Sequence, residues 1–335
     1  MTSPVERALA HVRALFPSPG PDQLGPLLAA TPVTVHFHPD RLLADHRTVA
    51  EHLAAEGTYR SQFETRISNG GLTAHPGGDR DRWEQRMFPG AYPVTAGRPT
   101  TTGRPVYGAL NLARHPDGAA PRFGSCHLVL HPHVLTRTTL SLDDSVTEPT
   151  IVGTAATFGA IWDGLLARVA DTGRALALTA PSPQEWTTAL TAGRTATGRA
   201  LDEYIEAQIH GGLTLSHDVA AIVCDPSLRD TPSVAALHTL GAPVLYHPGF
   251  QLPADEFPAD LRGPQAPLLA AALASRYDAP LLDAAALGRA AQSVVRSPHE
   301  WSSFGAPAEV LQLLKYLWHI LVLRGRPVPP AREEV

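Results

Sequence analysis

Residues 203–212 read EYIEAQIHGG. A period of two runs through them: Ile205, Ala207 and Ile209 point one way, Tyr204, Glu206, Gln208 and His210 the other, and a Gly-Gly pair supplies the turn that follows. This spacing predicts a β-strand with a polar face. A strand sandwiched in an α/β core ordinarily spends its polar positions on Thr or Ser, so ionisable groups repeated there need partners or a task. An edge strand facing water is the plainer alternative. A carboxylate held in a cleft can stabilise a developing oxocarbenium ion and hydrogen-bond a ribose hydroxyl, which makes Glu206 the leading candidate for chemistry.

A second strand of the same kind lies at 33–38, VTVHFH, with Val33, Val35 and Phe37 on one face and Thr34, His36 and His38 on the other. With Asp40 the histidines form an HxHxD cluster. Its spacing sets both imidazoles on one strand face, where they could ligate a metal, hold the following loop by hydrogen bonds, or contact a polar substrate. Arg41 next door favours an anionic ligand such as phosphate or pyrophosphate.

Between these two strands, VYGALNL (106–112), SCHLVL (125–130) and RTTLSL (137–142) read as strands separated by turns at HPDG and HPH, which suggests an antiparallel meander. Tyr107, Asn111, Ser125 and His127 are its polar groups, suited to positioning a ligand. No G-x-S-x-G elbow surrounds Ser125, so a hydrolase triad is not indicated. Residues 59–71 pack Tyr59, Arg60, Ser61, Gln62, Phe63, Glu64, Thr65, Arg66, Ser68, Asn69 and two glycines into a short span. Such a loop can clasp a ligand, since glycines admit close backbone approach and aromatics stack planar rings; a solvated surface loop is the bland reading. HPGGDRDRWEQR beside it reads as a charged helix cap.

Helical periodicity marks 5–16, 45–56, a short piece around Trp83, 154–170, 182–192 and most of the chain from 264, ending in the apolar VLQLLKYLWHILVL. Short apolar strands fall at 220–224 and 243–246. The expected fold is α/β of the α+β type: a mixed, largely antiparallel sheet, an N-terminal helix and a C-terminal helical annex. The implied domains are 1–30 as a helical lead-in, 31–255 as a catalytic-type domain and 256–335 as the annex.

Totals narrow the function classes. The formal net charge of -5 argues against nucleic-acid backbone binding, which needs a basic face. Lys315 is the single lysine, so a Schiff-base or phosphate-loop lysine is excluded in practice. No apolar run suffices to cross a bilayer, and the N-terminus lacks the uninterrupted apolar block of a secretory signal, so a cytoplasmic location is expected. Cys126 and Cys224 read as buried, reduced thiols.

Several phrases, HFHPDR, YRSQFETRISNGGLTAHPGGDRDRWEQR, YGALNLARHPDGAAPRFGSCHL, EYIEAQIHGG and DPSLRDT, resemble a bacterial family catalogued as domain of unknown function 3626. They span roughly residues 33–250. The chain departs from the family pattern in Arg66, where glycine would sit, and in LSLDDS, where an aromatic-glycine version is usual. The order of parts is also similar to that of ADP-ribosyltransferases: a first strand ending in His or Arg, a glycine-bearing loop, a middle strand with Ser or Tyr, and a late glutamate-x-glutamine strand. That likeness implies NAD as substrate, with His38 or Arg41 anchoring the ribose or pyrophosphate, Tyr107 or Ser125 lining the nicotinamide slot, and Glu206 as catalytic carboxylate.

The leading expectation is thus an enzyme that cleaves the nicotinamide ribosyl bond of NAD and passes ADP-ribose to an acceptor or water. Its expected catalytic residues are Glu206, His38 and Tyr107. His36, Arg41, Arg60, Gln62, Phe63, Ser68, Asn69, Asn111, Ser125, His127, Gln208 and His210 are expected to contact substrate, and no metal is favoured. A metal-dependent hydrolase is the rival, with Zn²⁺ on His36 and His38 and a further ligand from His127, His210 or Asp40. A non-catalytic nucleotide-binding or partner-binding module is the third reading.

Overall fold

The computed structural model describes residues 2–66, 74–92, 103–192 and 201–329, together with the backbone of 94–95 and 98–99. The fold is mixed α/β. Eight strands, β1 Val33–Phe37, β2 Val106–Leu110, β3 Cys126–Leu130, β4 Thr138–Leu142, β5 Val152–Thr154, β6 Ile205–Ile209, β7 Val219–Cys224 and β8 Val244–Tyr246, form one sheet in the order β8-β7-β3-β1-β2-β6-β4-β5. The pairs β1–β2, β2–β6, β6–β4 and β4–β5 are antiparallel, and β7–β8 is parallel.

The strands read from the sequence are present, but β2, β3 and β4 do not form a meander: no two of them are neighbours. The strand carrying EYIEAQIHGG inserts between β2 and β4, and β1 sits between β3 and β2. Turn chemistry at HPDG and HPH therefore shapes loops, not hairpins. Gly118 donates back to the His115 carbonyl at 3.1 Å, and HPH opens a 3₁₀ turn, Pro132–Arg137. Every residue of β6 is buried, which removes the edge-strand reading of this segment.

Register decides which side chains meet. Glu206 lies opposite Ala109 on β2 and Ser141 on β4, and Gln208 lies opposite Tyr107 and Thr139. Directly opposed residues share a sheet face, so the polar alternation of β6 becomes a polar patch three strands wide. Gly108 lets β1 and β2 approach closely, since a Cβ there would stand 2.5 Å from the Thr34 carbonyl oxygen.

The principal helices are α1 Pro4–Leu15, α2 Val49–Glu56, α3 Asp79–Met87, α4 Gly159–Thr172, α5 Pro183–Thr191, α6 Pro232–His238, α7 Gln265–Tyr277, α8 Ala284–Arg296 and α9 Pro307–Arg324. α1 starts where Ser3 and Glu6 cap one another reciprocally, the capping box of an S-x-x-E sequence. Among the described residues no helix is long and apolar enough to cross a membrane. Cys126 and Cys224 are buried and not disulfide-bonded.

Packing divides the chain into two compact units that are discontinuous in sequence. The first comprises Met1–His36, Gly57–Phe123 and Leu128–Ala221; the second comprises Phe37–Glu56, Gly124–His127 and Ile222–Val335. One apolar cluster of the first unit joins Ala8 and Val12 of α1 to Trp83 of α3, Phe88, Ala91, Tyr92 and Val152. In the second, α8 and α9 pack together, and Gly288 of α8 lies against the Asp40 carboxylate, where a Cβ would fall 1.2 Å from Oδ2.

Candidate functional site

The polar patch on β2, β6 and β4 is met by α3. Within DRDRWEQRM, Arg80, Asp81, Trp83 and Glu84 are all buried, Arg80 and Glu84 sharing a face at i, i+4 spacing. The charged cap read from the sequence is therefore a helix that buries its charges. With Arg104 and Glu206 it builds a cluster of two guanidiniums and three carboxylates, none more than 4% exposed. Burial on this scale is costly unless the charges are paired.

The pairing runs in two linked halves. Arg104 donates to Glu84 Oε2 at 2.7 Å and to Asp81 Oδ1 at 2.6 Å, while its guanidinium covers the Phe63 ring at 4.5 Å. The Tyr107 hydroxyl donates to Glu84 Oε1 at 2.7 Å. Arg80 lies over the Tyr107 ring at 4.0 Å and donates to the Ser145 hydroxyl. Ser145 in turn donates from its backbone N–H and its hydroxyl to Glu206 Oε2 at 3.2 and 3.1 Å, and Gln208 Nε2 donates to Oε1 at 3.0 Å. Arg80 Nε is buried and finds no hydrogen-bond partner among the described residues.

Burial pushes the Glu84 carboxyl up to about 7 against the pull of Arg104 and the Tyr107 hydroxyl. It pushes Glu206 up to about 7 as well, against Arg80 and with help from the Asp144 charge. Burial opposes the charge on Arg80, but Tyr107, Glu206 and Glu84 outweigh it. Two carboxyls thus titrate near neutrality around a guanidinium that stays charged, an arrangement able to hold or release a proton at working pH.

Gln208 and His210 serve this network. Gln208 also donates to the Ser141 hydroxyl at 3.1 Å and accepts from Thr139 at 2.9 Å, which fixes the amide that orients Glu206. His210 has one ring nitrogen on the Tyr92 hydroxyl and the other 2.9 Å from the Thr139 hydroxyl, and burial pushes it down to about 3, so it is neutral. Tyr107 is the one half-buried member of the cluster. A groove of about 860 Å³ has Asp144 in its lining, next in sequence to Ser145. Asp143, Asp171, Asp202 and Glu203 line it too, with Arg168 paired to Asp143 and Arg174 to Glu203.

The other expected site residues distribute as follows. His36, in the first unit, accepts from the Ala120 N–H at 3.3 Å, and Asn111 clamps its own loop, donating to the His115 carbonyl and accepting from the His115 N–H, each at 2.9 Å. Gln62 begins a one-turn helix, Gln62–Thr65, with Phe63 buried and Arg60 exposed just before it. Ser68 and Asn69 lie outside the described residues. His38, Arg41, Ser125 and His127 belong to the second unit. There the His38 ring stands 3.4 Å from the Ser125 hydroxyl and edge-on to Trp318, and burial, with the Arg41 and Lys315 charges, pushes it down to about 3. His127 stacks on His247, and burial pushes Asp40 up to about 6. Burial also lowers Arg41.

The family model described as a protein of unknown function, DUF3626, matches residues 32–324. The chain belongs to the DUF3626 family. The match carries no likeness to ADP-ribosyltransferases, and no curated protein matches the chain. In this DUF3626 chain two of the residues singled out in the sequence stand on left-handed backbone: Arg66 has φ 56°, and within LSLDDS Asp143 has φ 82°. Both are conformations that glycine adopts without cost.

Sequence reasoning missed Arg80, Asp81, Glu84, Arg104, Tyr92 and Ser145. The signal available for α3 was Trp83 flanked by charges at helical spacing; Arg104, in a short stretch with no periodicity, offered none. Also missed was His133, His217 and Asp218, a group whose ligand atoms lie within 4.8 Å of one another.

Proposed function

We propose that this protein is an enzyme that cleaves the nicotinamide ribosyl bond of NAD and passes ADP-ribose to an acceptor or to water, with Glu206 as the catalytic carboxylate. The observation that carries this reading is the pair of buried carboxyls, Glu84 and Glu206, both held near neutrality beside Arg80, with half-buried Tyr107 among them. Breaking the bond between the ribosyl carbon and the ring nitrogen sends the electron pair out with nicotinamide, which leaves neutral, and puts positive charge on the ribose. An ionised Glu206, steadied by Ser145 and Gln208, offsets that charge without reorganising. The incoming acceptor or water loses a proton as it bonds to the ribosyl carbon, and a carboxyl titrating near 7 can take it.

NAD as substrate is the expectation from the order of parts in the sequence, and such an order does not by itself choose a chemistry. The metal-dependent hydrolase on His36 and His38 is not favoured, because His36 Nε2 is occupied by the Ala120 N–H. The test is nicotinamide release from NAD by the purified protein, followed chromatographically, beside Glu206→Gln. Release by the wild type and a fall of about 100-fold or more in the variant are expected, the scale of losing a group that stabilises transition-state charge. No release, or equal release from both, refutes the proposal. Thermal stabilisation by NAD without turnover would instead mark a nucleotide-binding module.

A further inference from the structure

Two imidazoles converge on one oxygen of a buried carboxylate in the first unit, none of the three residues being part of the Glu206 cluster. His133 Nε2 stands 2.9 Å and His217 Nδ1 3.0 Å from Asp218 Oδ1. We propose that His133, His217 and Asp218 form a binding site for a zinc-class divalent transition-metal ion.

The donor set is right for such an ion: two nitrogens and one carboxylate oxygen are the protein ligands of open zinc sites, which leave the remaining position to water. The separations fit as well. Ligands about 2.0–2.1 Å from a tetrahedral Zn²⁺ stand roughly 3.3 Å apart, so the ion needs the two carboxylate contacts to open by a few tenths of an ångström and the imidazole nitrogens, within 4.8 Å of one another, to take the same spacing. The ion replaces the N–H protons that the imidazoles now direct at the carboxylate.

The carboxylate is prepared for a single-oxygen role. Asp218 Oδ2 accepts from the Thr214 N–H at 2.8 Å and pairs with Arg137 at 2.9 Å, leaving Oδ1 to face the imidazoles. Arg137 is itself held by the His210 carbonyl and, at 2.7 Å, by the Gly212 carbonyl. Outer contacts of this kind orient a ligating carboxylate. Exposure completes the case: the Asp218 side chain is 5% exposed, whereas His133 is 44% and His217 73% exposed. The carboxylate is buried and held by two partners, and the imidazoles are open to an ion arriving from solvent. His131, stacked on His133 at 5.9 Å between ring centroids, places a further imidazole beside the set.

The geometry also says what the ion would join. His133 comes from the 3₁₀ turn between β3 and β4, and His217 and Asp218 come from the short helix Leu215–Asp218 that leads into β7. A bound ion would clip the connection after β3 to the entry of β7.

Protein made without a histidine tag, stripped with a chelator and titrated calorimetrically with zinc chloride, should bind one ion per chain at this site and melt at a higher temperature when loaded. Cobalt in place of zinc should give visible absorption of a low-symmetry site. His133→Ala and His217→Ala, both at exposed side chains, should each weaken zinc binding by more than about 100-fold, the upper figure for loss of a mere outer contact. His299→Ala, at an exposed histidine elsewhere, should leave binding unchanged. No zinc uptake by the wild type, or a loss below about tenfold in both variants, overturns the site, since true ligands cost more than outer contacts. Asp218→Asn is the weaker variant to read, because Asp218 also holds Arg137 and Thr214.

Discussion

Glu206→Gln should change how the stability of this protein depends on pH, apart from any effect on activity. Glu206 is 4% exposed, and its carboxyl is held at about 7 where an ordinary glutamate ionises at 4.5. Below pH 4.5 folded and unfolded chains both carry the proton, and the contribution of this group to stability is fully present. As pH rises the unfolded chain gives up its proton first, so ionisation pulls the equilibrium toward unfolding. Above about 7 both states are ionised and the loss is complete. At 1.36 kcal/mol per pH unit the gap corresponds to about 3 kcal/mol. Glutamine cannot ionise, so stability of the variant relative to wild type should rise by about 3 kcal/mol between pH 4.5 and 8. Urea denaturation followed by circular dichroism at half-unit intervals measures this, with equal slopes in urea showing that the same transition is compared. A difference that stays flat across the range, within about 1 kcal/mol, would refute the account of Glu206 as a carboxyl that resists ionisation in the fold.

Arg104→Met removes the shared partner of Asp81 and Glu84, and leaving buried charge unpaired typically costs about 3–5 kcal/mol. The cost should be larger at pH 8 than at pH 5, where Glu84 holds its proton, and a loss below about 1 kcal/mol at pH 8 would show that the ion pairs do not stabilise the fold. Gly288→Ala drives a methyl into the Asp40 carboxylate and should destabilise by about 1–3 kcal/mol despite the better helix former. Adding Asp40→Ala should recover much of that loss, and strict additivity of the two substitutions would show that the contact is not the cause.

How far the fold was legible follows from which elements carry their own period. EYIEAQIHGG announces a strand with one polar face because residues at i and i+2 must share a side, whatever surrounds them. The capped α1 and the apolar α9 declare themselves in the same local way. The partners of Glu206 do not. Arg80 and Glu84 look like solvated helix charges until the helix is laid on the sheet, and Arg104 becomes legible only through the two carboxylates it meets. The supposed meander fails for a related reason: neighbours in sequence with turn residues between them are the default pairing, and only the burial demanded by both faces of β6 places that strand between β2 and β4.

From the amino-acid order alone came the α/β class, the existence and faces of the main strands, and the standing of Glu206 as a buried carboxylate in want of partners. These rest on backbone periodicity and on the cost of burying an ion, both local. Tertiary structure decided the strand order, the division into two discontinuous units, and the joining of α3, Arg104 and β6 into one charged cluster. It also brought together the His133, His217 and Asp218 corner. Those depend on contacts between residues far apart in the chain, which have no signature until register and packing bring the side chains within hydrogen-bonding distance.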